Sequence, residues 1–589
     1  MAFTIDSPVK VARFGISSVI SLIDDKLIEM MRKHYYGKAG LEYIPIACEE
    51  ADYRARRITD YLNLVQTIVE AQTDRLRHEA FLKGSEIEKY FDMLPDENLL
   101  RQTWQRLGRI RNVVDRERVE TYLRSQIMSG SIDVNILTKV DRDQHNADGE
   151  LITDGSDGVT ALRGYAQSNL RNSCLVFSSG MNTRLYQYLA RCREFDPDAK
   201  GQFNKKIALK VSDYRSALIQ AKMLARNGIW ISDYRIESGL NCGGHAFVTA
   251  GMLLGPILEE FKTKRQELTD TLFALYTEAR MKRGLPVLAA PPEISFAVQG
   301  GVGTFEEQEF LRIQYNVSRT GWGTPFLLVP EATTVDDKTL KLLCAASEKD
   351  VVLSKNSPLG VLMHYLKGST SETEKMARIQ RGKPGSPCIE KHLAINTEFS
   401  REGLCTASRK YQRLKIAQLQ GLQLSRQEYN RQVQEVLSKE CLCIGLCNSA
   451  AICSKQIFVK RMHAVNVMPG PNIANFSKVV SLQTMTDHIY GRTNIITTPN
   501  RQHVFIAELN LYLDYLTEQL KEDKESGHLG DKDEYYFSFF SNMRTGISHY
   551  REIPEYTIRA RAEFNAALQI ASFQLDFLAY QYGINEKGQ

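Results

Sequence analysis

Ser238-Gly239-Leu240-Asn241-Cys242-Gly243-Gly244-His245 follows the apolar run Ile229 to Ile236, so a buried strand ends in a glycine-rich turn that carries a histidine. Two further turns of this kind come later in the chain, at the spacing of successive barrel strands. Gln299-Gly300-Gly301-Val302-Gly303 follows Ile294 to Val298, and Thr320-Gly321-Trp322-Gly323-Thr324 follows a short strand segment. Backbone without side chains at neighbouring strand ends lets amide N–H groups come close to an anion. The three turns together read as a phosphate cradle with His245, an acid–base or orienting group, beside it.

Working outward, strand and helix patterns alternate. Ile132 to Val140 reads as a strand before the helix Gly158 to Asn169, and Cys174 to Ser178 as a strand before Met181 to Cys192. Ile207 to Val211 precedes the helix Tyr214 to Arg226, and Gly255 to Arg283 reads as one long amphipathic helix. Phe305 to Tyr315 is helical, with Glu306 and Glu307 in its first turn expected to face solvent and complement the helix dipole. At the start of the chain, Val11 to Ser18 reads as a short buried strand and Asp24 to His34 as a helix. Repeating β–α units with functional turns at strand ends predict an α/β fold, a (β/α)8 TIM barrel, with the eighth strand near Tyr43 to Ala47. A doubly wound open sheet is the alternative.

The predicted organisation is a barrel over residues 1–335 with a charged helical insertion at about 51–129, a cysteine-containing mixed extension over 336–500, and a helical C-terminal region over 501–589. Helices are expected at Leu509 to Lys524 and Tyr556 to Tyr582, packed on the barrel or forming a subunit contact in a homo-oligomer. A chain of 589 residues exceeds the roughly 250–300 at which single cores stop growing. With 75 basic and 70 acidic residues, the net charge of +5 is too even to imply a nucleic-acid or membrane-surface partner. The basic clusters Arg378 to Lys383 and Arg409 to Arg413 read as solvated surface. The start of the chain lacks a secretion signal and no apolar run reads as a membrane span, so a cytoplasmic protein with mostly reduced thiols and a small-molecule substrate is expected.

Over about residues 8–335 the order strand-Gly-x-x-x-Gly-Gly-His, strand-Gly-Gly-x-Gly and Gly-x-Gly-Thr-Pro-Phe-Leu, with Glu331 soon after, resembles the nitronate monooxygenase or 2-nitropropane dioxygenase-like group of FMN-dependent TIM barrels. The enoyl reductase component of polyunsaturated-fatty-acid synthases belongs to the same broad group. The resemblance implies an FMN-dependent oxidoreductase. Gly300, Gly301, Gly323 and Thr324 would hold the FMN phosphate, and Asn135, in Val134-Asn135-Ile136, would contact the flavin. Lys210 would lie near the isoalloxazine, where a positive charge stabilises the anionic reduced flavin, and Ser17 and Ser18 would touch the ring. Gly243 and Gly244 would complete the cofactor-binding set, with His245 as the catalytic acid–base. The family commonly has Glu-Ala before Gly-Gly-His where this chain has Asn241-Cys242, and the usual Pro-Met of the first strand is missing.

The bland counterparts are plain. His245 can be a structural histidine bonded to backbone, Lys210 a surface lysine flanking a strand, and Cys242 a small, partly buried thiol. At the level of the whole chain, a non-redox barrel for another phosphorylated ligand competes with the flavin reading, as does a scaffold with a structural metal.

Seven of the eleven cysteines fall between Cys344 and Cys453. Cys388 and Cys405 can close a site with Cys441 and Cys443, giving the four thiolates that zinc or an iron–sulfur cluster requires. The spacing lacks the Cys-x-x-Cys pairs of zinc ribbons and ferredoxins, so reduced core thiols are the competing reading.

Overall fold

Seven parallel strands form the central sheet among the described residues of this computed structural model, which describes residues 2–584 apart from 137–139, 147, 179, 247 and 249. They are β1 (Ser18–Leu22), β2 (Ile132–Ile136), β3 (Ser173–Phe177), β4 (Lys205–Val211), β5 (Asp233–Glu237), β6 (Ser295–Gln299) and β7 (Arg319–Gly321). Each pairs with the next in sequence order. Helices Asp157–Ala166, Thr183–Leu189 and Tyr214–Arg226 connect β2 through β5, and Phe305–Tyr315 joins β6 to β7, so crossovers of the βαβ kind cover one face.

Strand periodicity divides the sheet into two different surfaces. Ile20, Val134, Leu175, Leu209, Ile236 and Val298 are buried against the helices in one hydrophobic core. The alternate positions Asn135, Lys210, Arg235, Glu237, Gln299 and Gly321 line a cavity on the opposite, concave face. Ser18 of one edge strand and Arg319 of the other line that same cavity, so the sheet curls around it. N-terminal residues and the segment after β7 adjoin the space between the edges. Ser7 Oγ donates to the Ala332 carbonyl at 2.6 Å, and Lys10 Nζ to that of Thr333 at 2.8 Å.

The expected strand near Tyr43 to Ala47 is absent, because side chains satisfy that segment instead. Glu29 accepts the Tyr43 hydroxyl at 2.6 Å and the Ile46 N–H at 3.0 Å, while Arg57 Nε donates to the Ile46 carbonyl at 3.0 Å. The first strand also lies later than predicted. Pro8 sits in the first turn of a helix Ser7–Val11, a 3-10 turn follows, and Gly15 at φ 77° reverses the chain before β1. The strand expected at Ile132 to Val140 is regular as far as Ile136, and 137–139 lie outside the described residues.

Tyr214–Arg226 and Phe305–Tyr315 start at side-chain caps from Asp213 and Thr304. The long helix expected over Gly255 to Arg283 is two, Leu254–Thr263 and Arg265–Lys282, broken at Lys264. Residues 53–125 are helical in four segments.

After β7 come an antiparallel hairpin, β8 (Val351–Ser354) with β9 (Met363–Leu366), several shorter helices, and three long ones at Val504–Glu525, Asp533–Glu552 and Arg561–Tyr582. The last three share a core with the β5–β6 connection. Phe505 stacks on Tyr550 with ring centroids 4.6 Å apart, and Leu253, Leu254 and Phe261 belong to the same cluster. The helix Asp533–Glu552 buries Tyr536, Phe539, Phe540, Met543, Ile547 and Tyr550, which recur at the three- and four-residue spacing of one helical face. Among the described residues one stretch, Arg426–Cys453, has the length and apolarity of a membrane span. It is broken into the helices Arg426–Ser438, which buries only Val436, and Leu442–Cys453, which is mostly buried.

Candidate active site

The cavity enclosed by the sheet has a volume of about 880 Å³, within the range of small-molecule and cofactor sites. Its floor is ionic. Arg235 Nη2 lies 2.5 Å from Asp133 and its Nε 3.0 Å from Asp233, whose other oxygen is 3.1 Å from Arg319. Two acids and two guanidinium groups thus balance within the curl of the sheet, where an unmatched charge would be costly. Nearer the strand C-termini, Lys210 Nζ meets Glu237 at 2.9 Å, and Gln299 donates to the other Glu237 oxygen at 3.0 Å. Asp133, Asp233, Arg235, Glu237 and Gln299 were not singled out from sequence. Their signal was there: charges at every second position of otherwise apolar strands mark a polar inner face.

The histidine turn adjoins this cavity, which Cys242, Gly243, Gly244 and His245 all line. Asn241 organises it: its Oδ1 accepts the Gly243 N–H at 2.7 Å and its Nδ2 donates to the His245 carbonyl at 3.0 Å. The His245 ring is fixed from the C-terminal part of the chain, with Nε2 3.0 Å from Ser357 Oγ. Gly239, at the foot of the turn, is pinned on both sides. Its N–H donates to Glu508 at 2.8 Å, and its carbonyl lies 3.0 Å from His364 Nε2. Burial pushes the Glu508 carboxyl up to about 7 and the His364 imidazole down to about 4.

The turns at Gly300 and Gly323 both act on Cys242: the backbone of each lowers the pKa of its thiol, and a Cβ on Gly323 would come 3.6 Å from its sulfur. Burial pushes that thiol up to about 11, with Glu237 adding to the rise, while the two amide donors and Lys210 act against it. Gly323 lines the cavity, and a Cβ there would meet Cys242 Cβ at 3.1 Å. The other expected phosphate-binding residues are packed beneath the C-terminal region. A Cβ on Gly301 would come 2.4 Å from Leu240 and 2.9 Å from Val504, and Arg501 donates to the Gly301 carbonyl at 2.8 Å. Thr324 is buried, its hydroxyl accepting the Gly470 N–H at 3.1 Å. Glu307, expected in solvent, is buried instead and accepts the amides of Gly303 at 2.9 Å and Val504 at 2.7 Å and the Arg501 guanidinium at 2.7 Å. Arg501 and Val504 lie 194 and 197 residues downstream, where no local pattern could announce them. Glu306 remains exposed, paired with Arg559 at 2.8 Å.

Ser17, Ser18 and Asn135 line the opposite side of the cavity. Ser17 Oγ accepts the Ser131 N–H at 3.2 Å, whereas Ser18 Oγ and Asn135 Oδ1 are buried without a hydrogen-bond partner. Two orphaned polar atoms on one cavity wall are what a polar ring edge would satisfy. At the rim, Asp24 Oδ2 lies 2.6 Å from His392 Nε2, with Glu390 close by. Lys26 lies 3.3 Å from Glu390, and Arg142, itself paired with Asp157 at 2.9 Å, donates to His392 Nδ1 at 3.1 Å.

Cys388, Cys405, Cys441 and Cys443 are free thiols, and among the described residues no three of them lie close enough together to hold a metal ion, contrary to the expected four-thiolate site. The neighbouring Cys388 pushes the Cys405 thiol up, and Cys441 does the same to Cys443. Donation from Cys443, together with nearby backbone amides, brings the Cys441 thiol down to about 6 against the effect of burial.

No family model and no curated protein matches the chain. Among solved structures, it is similar to the enoyl reductase domain of MlnA from the macrolactin biosynthesis cluster of Bacillus amyloliquefaciens, at 15% identity over 73% of this chain and 88% of that one, with a TM-score of 0.32.

Proposed function

We propose that the chain is an FMN-dependent oxidoreductase of the nitronate monooxygenase-like kind, acting on a small organic substrate within the cavity at the C-terminal ends of the seven strands. The observation that carries this reading is the wall formed by Ser18, Asn135 and Lys210. Two unpartnered buried polar atoms and a cation face a space large enough for a flavin ring, at positions where the sequence resembles flavin-binding barrels. Bound FMN would supply a reversible acceptor of a hydride or of electrons. Ser18 and Asn135 offer hydrogen bonds to its ring edge. Lys210, held by Glu237, places a positive charge where negative charge develops on reduction. His245 moves a substrate proton at its imidazole, with Ser357 fixing the ring orientation. At the phosphate end, the amides of Gly300 and Gly323 are the donors on offer, and the Cys242 thiol competes for them.

The test is direct. Purified protein is mixed with FMN and the binding followed by quenching of flavin fluorescence, then repeated with Asn135→Ala and with riboflavin. Micromolar or tighter binding of FMN, weakened tenfold or more by Asn135→Ala, supports the reading. Protein that takes up no FMN, yet binds a sugar phosphate in the same cavity, would favour the non-redox alternative.

A further inference from the structure

We propose that the chain forms a two-fold homodimer in which the helix Arg561–Tyr582 pairs antiparallel with the same helix of a second copy. The proposal is independent of the flavin reading.

This helix has two apolar faces, and its own chain uses one of them. Phe564, Leu568, Ala571, Leu575 and Leu578 are buried in the main core. On the other side Ile570 is 60% exposed, Phe573 73%, Phe577 54% and Tyr580 85%. Apolar side chains exposed singly are ordinary, but a continuous row along one helix marks a contact surface. The neighbouring helix Val504–Glu525 is also 22 residues long and leaves no large apolar side chain exposed. Charge separates the two helices in the same way. Glu518, Lys521, Glu522 and Lys524 are among the charges of the earlier helix, whereas Asp576 is the one charged residue from Phe564 to Tyr582.

The spacing of the exposed row fits a second helix as its occupant. Steps of three, four and three residues are the a and d positions of a heptad, by which one helix sets its side chains into the gaps of another. Those steps read the same from either end. An antiparallel copy related by a two-fold axis beside residue 575 therefore brings Phe573 against the partner's Phe577 and Ile570 against the partner's Tyr580, each contact occurring twice. Facing the smallest of the four with the largest keeps the layers even in volume. A parallel pairing would instead crowd two tyrosines at one end and leave two isoleucines at the other.

Area and charge both suit a second copy. A fully exposed aromatic side chain offers roughly 150–250 Å², so the row presents about 500 Å² per copy. Two copies remove about 1,000 Å² from water, the size at which a well-fitted contact becomes specific. The acid beside the row has its own counterion, since Asp576 lies 3.2 Å from Arg544 of the adjacent helix. Bringing two such flanks together sets two acids among two guanidinium groups, so no net charge opposes the pairing.

Full-length protein at about 50 µM is examined by sedimentation velocity, with the exposed-site variant Phe573→Glu alongside. Wild type at twice the chain mass, with Phe573→Glu weakening the dimer about a hundredfold at an unchanged melting temperature, supports the proposal. Orientation is read from cysteines placed in the row. Ile570→Cys/Tyr580→Cys should give a covalent dimer on mild oxidation, with positions 570 and 580 joined in the digested peptides, and Ile570→Cys alone should not. Should Phe573→Glu lower the melting temperature, the cross-link decides. A monomeric wild type overturns the proposal, as does a dimer that a well-folded Phe573→Glu leaves intact or a bridge joining 570 to 570. Monomers that sediment with phosphatidylcholine–phosphatidylglycerol vesicles overturn it too, and would make the row a lipid contact.

Discussion

The carboxylate of Glu508 accepts the backbone N–H of Gly239 at 2.8 Å, joining a C-terminal helix to the end of β5. Its second oxygen accepts the Leu254 N–H at 2.7 Å at the start of the helix Leu254–Thr263. In Glu508→Gln an amide NH2 must face one of these two donors. We expect a loss of about 1–3 kcal/mol in denaturant unfolding at pH 5.

The same residue sets a pH dependence. Burial raises the Glu508 carboxyl to about 7 from its ordinary 4.5, so the native state holds its proton to higher pH than the unfolded chain does. Unfolding then releases a proton between these values. The ionisable carboxyl works against the fold as pH rises from 4.5 to 7, by roughly 3 kcal/mol at most, and the effect levels off above that. Glu508→Gln lacks this slope. The stability gap between wild type and variant should narrow from pH 5 to pH 8, and a gap that widens would reject the assignment.

Lys210→Met leaves Glu237, with 2% of its side chain exposed, facing the cavity without its cation. Breaking a buried pair from one side costs about 3–5 kcal/mol, and adding Glu237→Gln should restore a large part of it. Urea unfolding of the single and double variants measures the coupling. Equal midpoints for the two would show that the pair is too well hydrated to matter.

Cys242→Ala removes the sulfur that now takes the amides of Gly300 and Gly323. With those donors freed, FMN should bind several-fold more tightly while riboflavin, which has no phosphate, should be unaffected. An identical change for both ligands would place the phosphate elsewhere.

Gly301→Ala meets two obstacles at once, a φ of 82° and a Cβ 2.4 Å from Leu240. The expected loss is about 2–5 kcal/mol, read as a lower melting temperature. Because Gly301 is packed under Val504 and Arg501, the protein that does fold should bind FMN as wild type does.

Much of the strand–helix alternation was legible because β2 to β6 combine apolar runs with turn chemistry at their ends. Tyr214–Arg226 and Phe305–Tyr315 were readable to the residue, since each has a cap at its start and an apolar stripe. The predicted strand near Tyr43 was not realised because Glu29 and Arg57 satisfy its backbone, and side chains so far away leave no mark on the local pattern. Glu307 was misjudged for the same reason: its partner Arg501 is distant in sequence. Of the candidate site, the three glycine turns were visible in the sequence, but the Cys242 sulfur beside Gly323 depended on the path of the histidine turn. The inner-face charges of β5 alternated in plain view and were overlooked in favour of the loops.

The contacts from Glu307 to Arg501 and Val504, and from Thr324 to Gly470, have a consequence during synthesis. A ribosome that has delivered all seven strands has still not delivered the residues that brace the turns at their ends. The nascent β–α half must therefore wait, with its glycine turns uncovered, until more than a hundred further residues have emerged. A chain terminated before Gly470 would hold its strands without a finished mouth.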